Sequence, residues 1–308
     1  MLPLVLGPRR LLAGAIAFAL AAPAAPGFAA GAGHRIGGEL RVEGFHATDL
    51  FPGGPTRESD DAVRFVIRPE WNARLGHGLR TKLWAKAIVE RYRHWSDRDL
   101  ERWEFGLDLK RGPHRLRLSG GTTSDELYFP SSAGGAFLDR SRAALEARAG
   151  FAPSWFAIGS LEYEREDFVP NYNERDDHRW TLSLGAAREF ESGRRLELSY
   201  RFRRQDSVTN LYTYDQNLVR LDAEWSAPTL ASAALRMEYA LRDYRTGQSF
   251  ASNFGREDDR WKILGRLHRG IGGPLALEAF DEWRRTSSTR LSKNYDVNTV
   301  GVALAVSR

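Results

Sequence analysis

The chain has 308 residues, 45 Lys+Arg against 40 Asp+Glu, a formal net charge of +5 and no cysteine. The absence of cysteine excludes disulfide frameworks, thiolate metal sites and CxxCH haem attachment. The basic excess is interleaved with acidic residues rather than blocked into a patch, which argues against a nucleic-acid partner.

The N-terminal segment reads as a targeting element. Arg9 and Arg10 precede an apolar stretch from Leu11 to Ala22, and Gly27-Phe28-Ala29 offers a small-x-small cleavage site. A basic region, a short apolar region and small residues make a secretory signal peptide over 1–29. A dozen apolar residues cannot span a bilayer core of about 30 Å. Loss of its two arginines leaves 5 − 2, a net charge of +3 on the remainder.

From residue 30 to 308 the chain is expected to form one domain, and its dominant signal has period two. In Arg195-Leu196-Glu197-Leu198-Ser199-Tyr200-Arg201-Phe202-Arg203 every even position is apolar and every odd one polar. Trp103, Phe105, Leu107 and Leu109 alternate with Arg102, Glu104, Asp108 and Lys110, and Val219, Leu221, Ala223 and Trp225 with Arg220, Asp222 and Glu224. Successive strand side chains point to opposite faces, so each segment has one apolar and one charged face. A mean hydropathy of −0.47 is compatible with membrane strands, because lipid-facing and inward-facing residues average to polar.

Short Gly/Pro-bearing turns fall at Leu75–Gly78, Arg111–Pro113, Gly150–Pro153, Glu191–Arg194, Ala227–Thr229 and Gly270–Pro274. Longer polar connections alternate with them: Phe51–Asp60, Trp95–Asp99, Ser124–Ala136, Val169–Asp177, Asp206–Gln216, Gly247–Asp258 and Ser287–Asn294. The punctuation predicts an all-β fold, a closed antiparallel transmembrane up-and-down barrel of about 14 strands. Closure satisfies the strand edges that lipid could not. A repeat of about forty residues also fits propeller blades, but a blade packs four short strands where each repeat here holds two long ones. A β-sandwich would have shorter strands with polar outer faces.

Trp103, Trp180 and Trp261 open strands that follow long loops, while Trp155 and Trp225 sit beside short turns. Tyr163, Tyr239, Tyr244 and Phe202 fall near strand ends bordering long loops. Rings so placed form two girdles at the membrane interfaces. The polar phase then lines the interior. Its basic members include Arg64, Arg68, Arg80, Lys82, Arg117, Arg201, Arg203, Arg220, Arg236 and Arg266, and its acidic members Glu104, Glu162 and Glu224. Two outcomes are open. In one the basic excess favours anions in an open pore; in the other cross-strand Arg–Glu ladders fill the bore and leave a structural or docking protein.

No metal or cofactor is expected. The seven histidines, His34, His46, His77, His94, His114, His178 and His268, form no HxH or HExxH pair, and there is no GxSxG elbow. The acidic pairs Asp60-Asp61, Asp176-Asp177 and Asp258-Asp259 lie at loop ends, with His178 beside the second. As solvated loop charges they need no function. They could also supply acid/base groups or oxygen ligands for a cation bridging lipopolysaccharide.

Asp177-His178-Arg179-Trp180-Thr181-Leu182-Ser183-Leu184-Gly185 and Leu196-Glu197-Leu198-Ser199-Tyr200-Arg201-Phe202 resemble strands of the Gram-negative outer-membrane β-barrel superfamily. The strand count resembles monomeric fourteen-stranded channels and, loosely, the barrel of surface lipoprotein assembly modifiers, without the helical-repeat domain that precedes that barrel. The resemblance implies a non-enzymatic passive channel for small polar or anionic solutes in the outer membrane, or else an assembly partner of a surface-polymer or lipoprotein export system, or, as a third reading, a barrel hydrolase with a clustered histidine and serine or aspartate at one rim. It implies contact with membrane lipid, lipopolysaccharide and the barrel assembly machinery. The chain departs from the pattern at its end, Val306-Ser307-Arg308, where such barrels carry a terminal aromatic that the assembly machinery reads.

Overall fold

The computed structural model describes residues 34–48, 59–94, 99–125, 138–168, 176–191, 193–209, 211–226, 231–245, 253–290 and 294–307. The signal-peptide segment, the Ala227–Thr229 turn and most of the long-loop tips lie outside these residues.

Fourteen strands follow one another along the chain: β1 (His34–Ala47), β2 (Asp60–Arg74), β3 (Leu79–Tyr92), β4 (Leu100–Arg111), β5 (His114–Asp125), β6 (Leu138–Ala152) and β7 (Trp155–Phe168), then β8 (Asp177–Glu189), β9 (Arg195–Ser207), β10 (Tyr214–Ser226), β11 (Ala231–Tyr244), β12 (Glu257–Gly272), β13 (Leu275–Ser288) and β14 (Tyr295–Ser307). They run from 12 residues in β4 to 16 in β12. Each strand pairs antiparallel with its chain neighbours, and β1 pairs with β14 from Glu39↔Ser307 to Ala47↔Thr299, which closes the barrel. Closure leaves no row of unpaired backbone groups for lipid to meet.

The short turns use left-handed backbone where a tight reversal requires it. Gly112 has φ 55°, Gly193 φ 72° and Gly273 φ 55°, while His77 and Ser154 take φ 59° and 64° without glycine. Pro69 sits inside β2, and the β2–β3 register lacks pairs between Ile67↔Ala87 and Glu70↔Trp84. A proline cannot donate to the ladder, so this gap is what the sequence dictates.

Faces follow from register. Leu40, Val42, Phe65, Phe105, Leu118, Leu161, Leu184, Leu198, Val219, Leu267, Leu277 and Val302 are exposed on one phase of their strands. The charged residues on the other phase point into the bore, so the molecule wears its apolar side outward and has a polar centre. Among the described residues the buried apolar side chains form only a small cluster, Phe45, Ala47 and Ala62 with Tyr92 and Phe280, beside scattered ones such as the facing Val66 and Ile88. Burial of apolar surface in a core therefore does little here; the closed ladder of strand pairs holds the fold.

Candidate functional site

The bore wall is a net of ion pairs built by alternation. On β7, Glu162, Glu164 and Glu166 occupy consecutive inward positions. The facing inward positions of β6 and β8 bring Arg142 and Arg179 opposite Glu164, and Arg140 and Asp177 opposite Glu166. Arg140 reaches Glu164 at 3.2 Å and Glu166 at 2.6 Å; Arg179 contacts Glu164, lies 3.1 Å from Glu166 and donates to Gln205. Gln205 in turn donates to Asp177 at 2.6 Å. Across the barrel Glu43 takes both Arg41 (2.6 Å) and Arg64 (2.7 Å), Asp108 takes Arg115 (2.7 Å) and Arg117 (2.6 Å), and Asp222 takes Arg220 and Arg236. A carboxylate carries enough acceptor sites for two guanidinium groups, and these carboxylates are shared in that way.

Sharing leaves a surplus of one sign. Among the described residues Arg35, Arg68, Arg74, Arg80, Lys110, Arg201, Arg203, Arg242 and Arg260 face inward with no carboxylate within 4.0 Å, the distance that defines the pairs above. Their sequence neighbourhood explains several of them. Arg201 faces Ser183 and Leu218, and Arg203 faces Thr181 and Gln216, so no carboxylate stands across either strand boundary. Arg242 lies opposite Asp258, but Arg256 already holds that carboxylate at 2.6 Å. Glu39, Glu146 and Glu224 are the inward carboxylates similarly without a cation. The nominally balanced wall is therefore basic where it is not neutralised.

The unneutralised cations line three stacked cavities. The largest, about 1050 Å³, occupies the short-turn end and is lined by Arg35, Arg68, Arg74, Arg80, Lys82, Lys110, Arg115, Arg117 and Arg148 against Glu70, Asp108 and Glu189. A middle cavity of about 300 Å³ has Arg102, Arg117, Arg140, Arg142, Arg201 and Arg203 facing Glu104, Glu146, Glu162 and Glu164. An upper one of about 290 Å³ is lined by Arg179, Arg203, Gln205, Tyr212, Tyr214, Arg242, Tyr244 and Arg260, with no carboxylate among its lining residues. Arg117 borders both the lower and middle cavities, and Arg203 both the middle and upper ones.

The residues singled out from the sequence fall as follows. Arg64, Arg68, Arg80, Lys82, Glu104, Arg117, Glu162, Arg201, Arg203, Arg220, Glu224, Arg236 and Arg266 all occupy the inward phase of their strands. Arg68, Arg80, Lys82 and Arg117 meet in the lower cavity, and Glu104, Arg117, Glu162, Arg201 and Arg203 in the middle one. Arg64, Arg220, Glu224, Arg236 and Arg266 border none of the three. Arg140, Arg142, Arg179, Arg242, Arg260 and Trp84 were not anticipated, although each stands in the same alternation as the anticipated residues.

Trp84 is the inward exception among the described tryptophans. It stands opposite Gly106, where even a methyl group would lie 2.5 Å from the indole. The guanidinium of Arg68 is 5.2 Å from its ring.

Trp103, Trp155, Trp180, Trp225 and Trp261 project outward, the first, third and fifth near the long-loop end and the other two near the short-turn end. Tyr163 packs against Trp180 at 4.6 Å and Tyr239 against Trp261 at 4.7 Å. Tyr244 departs from the expected girdle. It faces Tyr214 across β10–β11, is 9 % exposed and turns its ring into the upper cavity. Its residue number has the parity of Arg242 and Arg236, so one register count separates it from the outward set.

The acidic pairs separate between the two faces, and among the described residues Asp60 meets His94, whose Nδ1 lies 2.8 Å from its carboxylate. Asp177 points inward while His178 points outward, where its Nδ1 lies 2.7 Å from the Tyr163 hydroxyl. Asp60 and Asp258 are buried on the inner side, whereas Asp61 meets His46 at 2.9 Å and Asp259 accepts from Tyr239 at 2.9 Å on the outer one. No group of three or more His, Asp or Glu that could hold a metal occurs among the described residues.

No protein-family model and no curated protein matches the chain. Solved structures do. In vitro folded OmpT, an outer membrane protein of Vibrio cholerae, is 9% identical with a TM-score of 0.52, covering 92% of this chain and 100% of that one. The outer-membrane expressed form gives 11%, 0.51, 91% and 99%. An anion-selective porin from Comamonas acidovorans gives 10%, 0.50, 89% and 99%. At such identities the likeness is one of fold. With the closed antiparallel sheet of fourteen strands and the apolar exterior described above, it shows that the chain shares the closed β-barrel fold of these outer membrane proteins.

Proposed function

We propose that this chain is a passive outer-membrane channel that favours small anions. The observation that carries the reading is the sharing of Arg117 and Arg203 between successive cavities. An anion leaving one cavity is already in reach of a cation bordering the next. Rings and rows of one charge sign focus the matching ion and raise its local concentration. The carboxylates oppose this weakly, because most are bound to arginine and their field is largely cancelled a few ångströms away. A purified, refolded barrel in a planar bilayer under a KCl gradient should give discrete conductance steps and a reversal potential of the sign set by chloride. Silence in that recording would favour the structural or export-partner role instead.

The outward tryptophans fit two interfacial belts, and one residue tests the placement. Asp281 is exposed on the outward phase, opposite Gly265, and makes no ion pair among the described residues. It lies four register steps below Trp261, about 13 Å along the strand and about 10 Å along the membrane normal at the usual tilt. That depth is within the apolar band, where an acidic side chain costs less than the 2–4 kcal/mol of a basic one but still a measurable amount. Asp281→Leu is expected to raise the unfolding free energy in lipid vesicles by about 1–2 kcal/mol. An unchanged denaturant midpoint would put this position outside the bilayer.

A further inference from the structure

The lower cavity differs from the other two in kind. It is the largest, and five of its basic side chains, Arg35, Arg68, Arg74, Arg80 and Lys110, lack a carboxylate partner. They come from four adjacent strands, β1 to β4, so they form one broad basic face of the space rather than a single seam. On its wall two buried donors, Arg68 Nε and Arg148 Nε, have no hydrogen-bond partner, and Trp84, which lines the middle cavity with its ring 5.2 Å from the Arg68 guanidinium, has its Nε1 in the same state. Buried donors without acceptors carry a desolvation cost that a bound oxyanion would remove. A chloride ion could answer only one such group at a time. An anion with several charges spaced along a short chain could answer the whole set at once.

We propose that this short-turn vestibule is a binding site for a polyvalent phosphate anion of the oligophosphate class. Arginine forks and the lysine suit tetrahedral phosphate oxygens, and repeated phosphate groups match cations spread over four strands. The indole of Trp84, beside Arg68, gives a spectroscopic marker for a change at that arginine. The proposal deepens the anion-channel reading by naming a ligand class, but its test needs no conductance. A barrel that binds without conducting would lose the channel reading and keep this site. One that conducts anions without binding would lose only the site.

The test titrates the refolded full-length barrel with tripolyphosphate, orthophosphate, citrate and chloride at constant ionic strength. Tryptophan fluorescence and calorimetry are read in parallel. Tripolyphosphate is expected to bind at least tenfold more tightly than orthophosphate or citrate, with a fluorescence change that Trp84→Phe abolishes while calorimetric binding persists. Arg68→Gln with Arg80→Gln should weaken binding at least tenfold, whereas the outward-facing Arg285→Gln should leave it unchanged. The heat-modifiable gel mobility of folded barrels confirms that each variant has closed. Equal affinity for citrate would overturn the phosphate class. Affinity no better than that of chloride, or unaltered by loss of Arg68 and Arg80, would overturn the site.

Discussion

Replacing both Arg201 and Arg203 by glutamate is expected to convert an anion preference into a cation preference. The two side chains occupy consecutive inward positions of β9, beside Thr181 and Ser183 on one neighbour and Gln216 and Leu218 on the other. With no counter-charge at those positions, their field reaches the solution in the bore. Arg203 donates to the Thr181 hydroxyl at 3.1 Å, and Arg201 Nε has no partner. A unit charge about 7 Å from a passing ion is worth about 2 kcal/mol at an effective dielectric of 20, and about half that once mobile salt screens it. Reversing two such charges should lower the chloride-to-potassium permeability ratio by at least about tenfold. The reversal potential under a KCl gradient would then change sign.

The informative control is a pair of the same chemistry in a different electrostatic setting. Arg220→Glu with Arg236→Glu also reverses two inward charges, but both arginines are committed to Asp222. Removing them frees a carboxylate and adds two more, so barrel stability should suffer as well as selectivity. Arg201 and Arg203 have no such partner to orphan, and their double variant should fold normally. If selectivity is untouched in a folded Arg201→Glu, Arg203→Glu barrel, ions do not pass between the middle and upper cavities.

How much of this was legible beforehand follows from the period of the strand. Alternation such as that from Arg195 to Arg203 fixes the two faces, and the spacing of turns fixes the count, because both depend on local chemistry alone. The thirteen inward charges and the five outward tryptophans named from the sequence needed no more than parity within a strand. What parity cannot supply is partnership. Arg203 and Arg236 look alike in the sequence, yet one faces threonine and glutamine while the other meets Asp222 across the β10–β11 boundary. That difference is set by the register between strands, which depends on turn geometry and on closure against β14. Tyr244 failed for the related reason that its distance from the strand end was read, but not its phase. The vestibule at the short-turn end also needed the closed circle, since Arg35 and Lys110 lie 75 positions apart in the chain and share a cavity only after β1 to β4 curve together.

The net that closes the bore wall near the long loops makes the other large prediction. Arg179 contacts Glu164 and Glu166 and lies 4.0 Å from Asp177, with its side chain 12 % exposed and those of Glu166 and Asp177 at 5 % and 2 %. Arg179→Ala leaves three carboxylates within one small space, with Arg140 alone to answer Glu164 and Glu166. Removing one partner from a buried charge cluster costs about 3–5 kcal/mol, because the remaining charges lose compensation they cannot recover from water. Proximity to the mouth places the expected loss at the lower end, about 3 kcal/mol. Denaturant unfolding of the refolded barrel would show it as a lowered midpoint with an unchanged slope. Adding Glu166→Gln and Asp177→Asn to Arg179→Ala removes the repulsion without restoring the arginine, so most of the loss should return. If it does not, the arginine acts through packing and its hydrogen bonds to Gln205 rather than through charge. Arg140→Ala is the matching case on the other side of Glu164 and Glu166. Because Arg179 still clamps both carboxylates there, the smaller loss expected from it separates a shared network from two independent pairs.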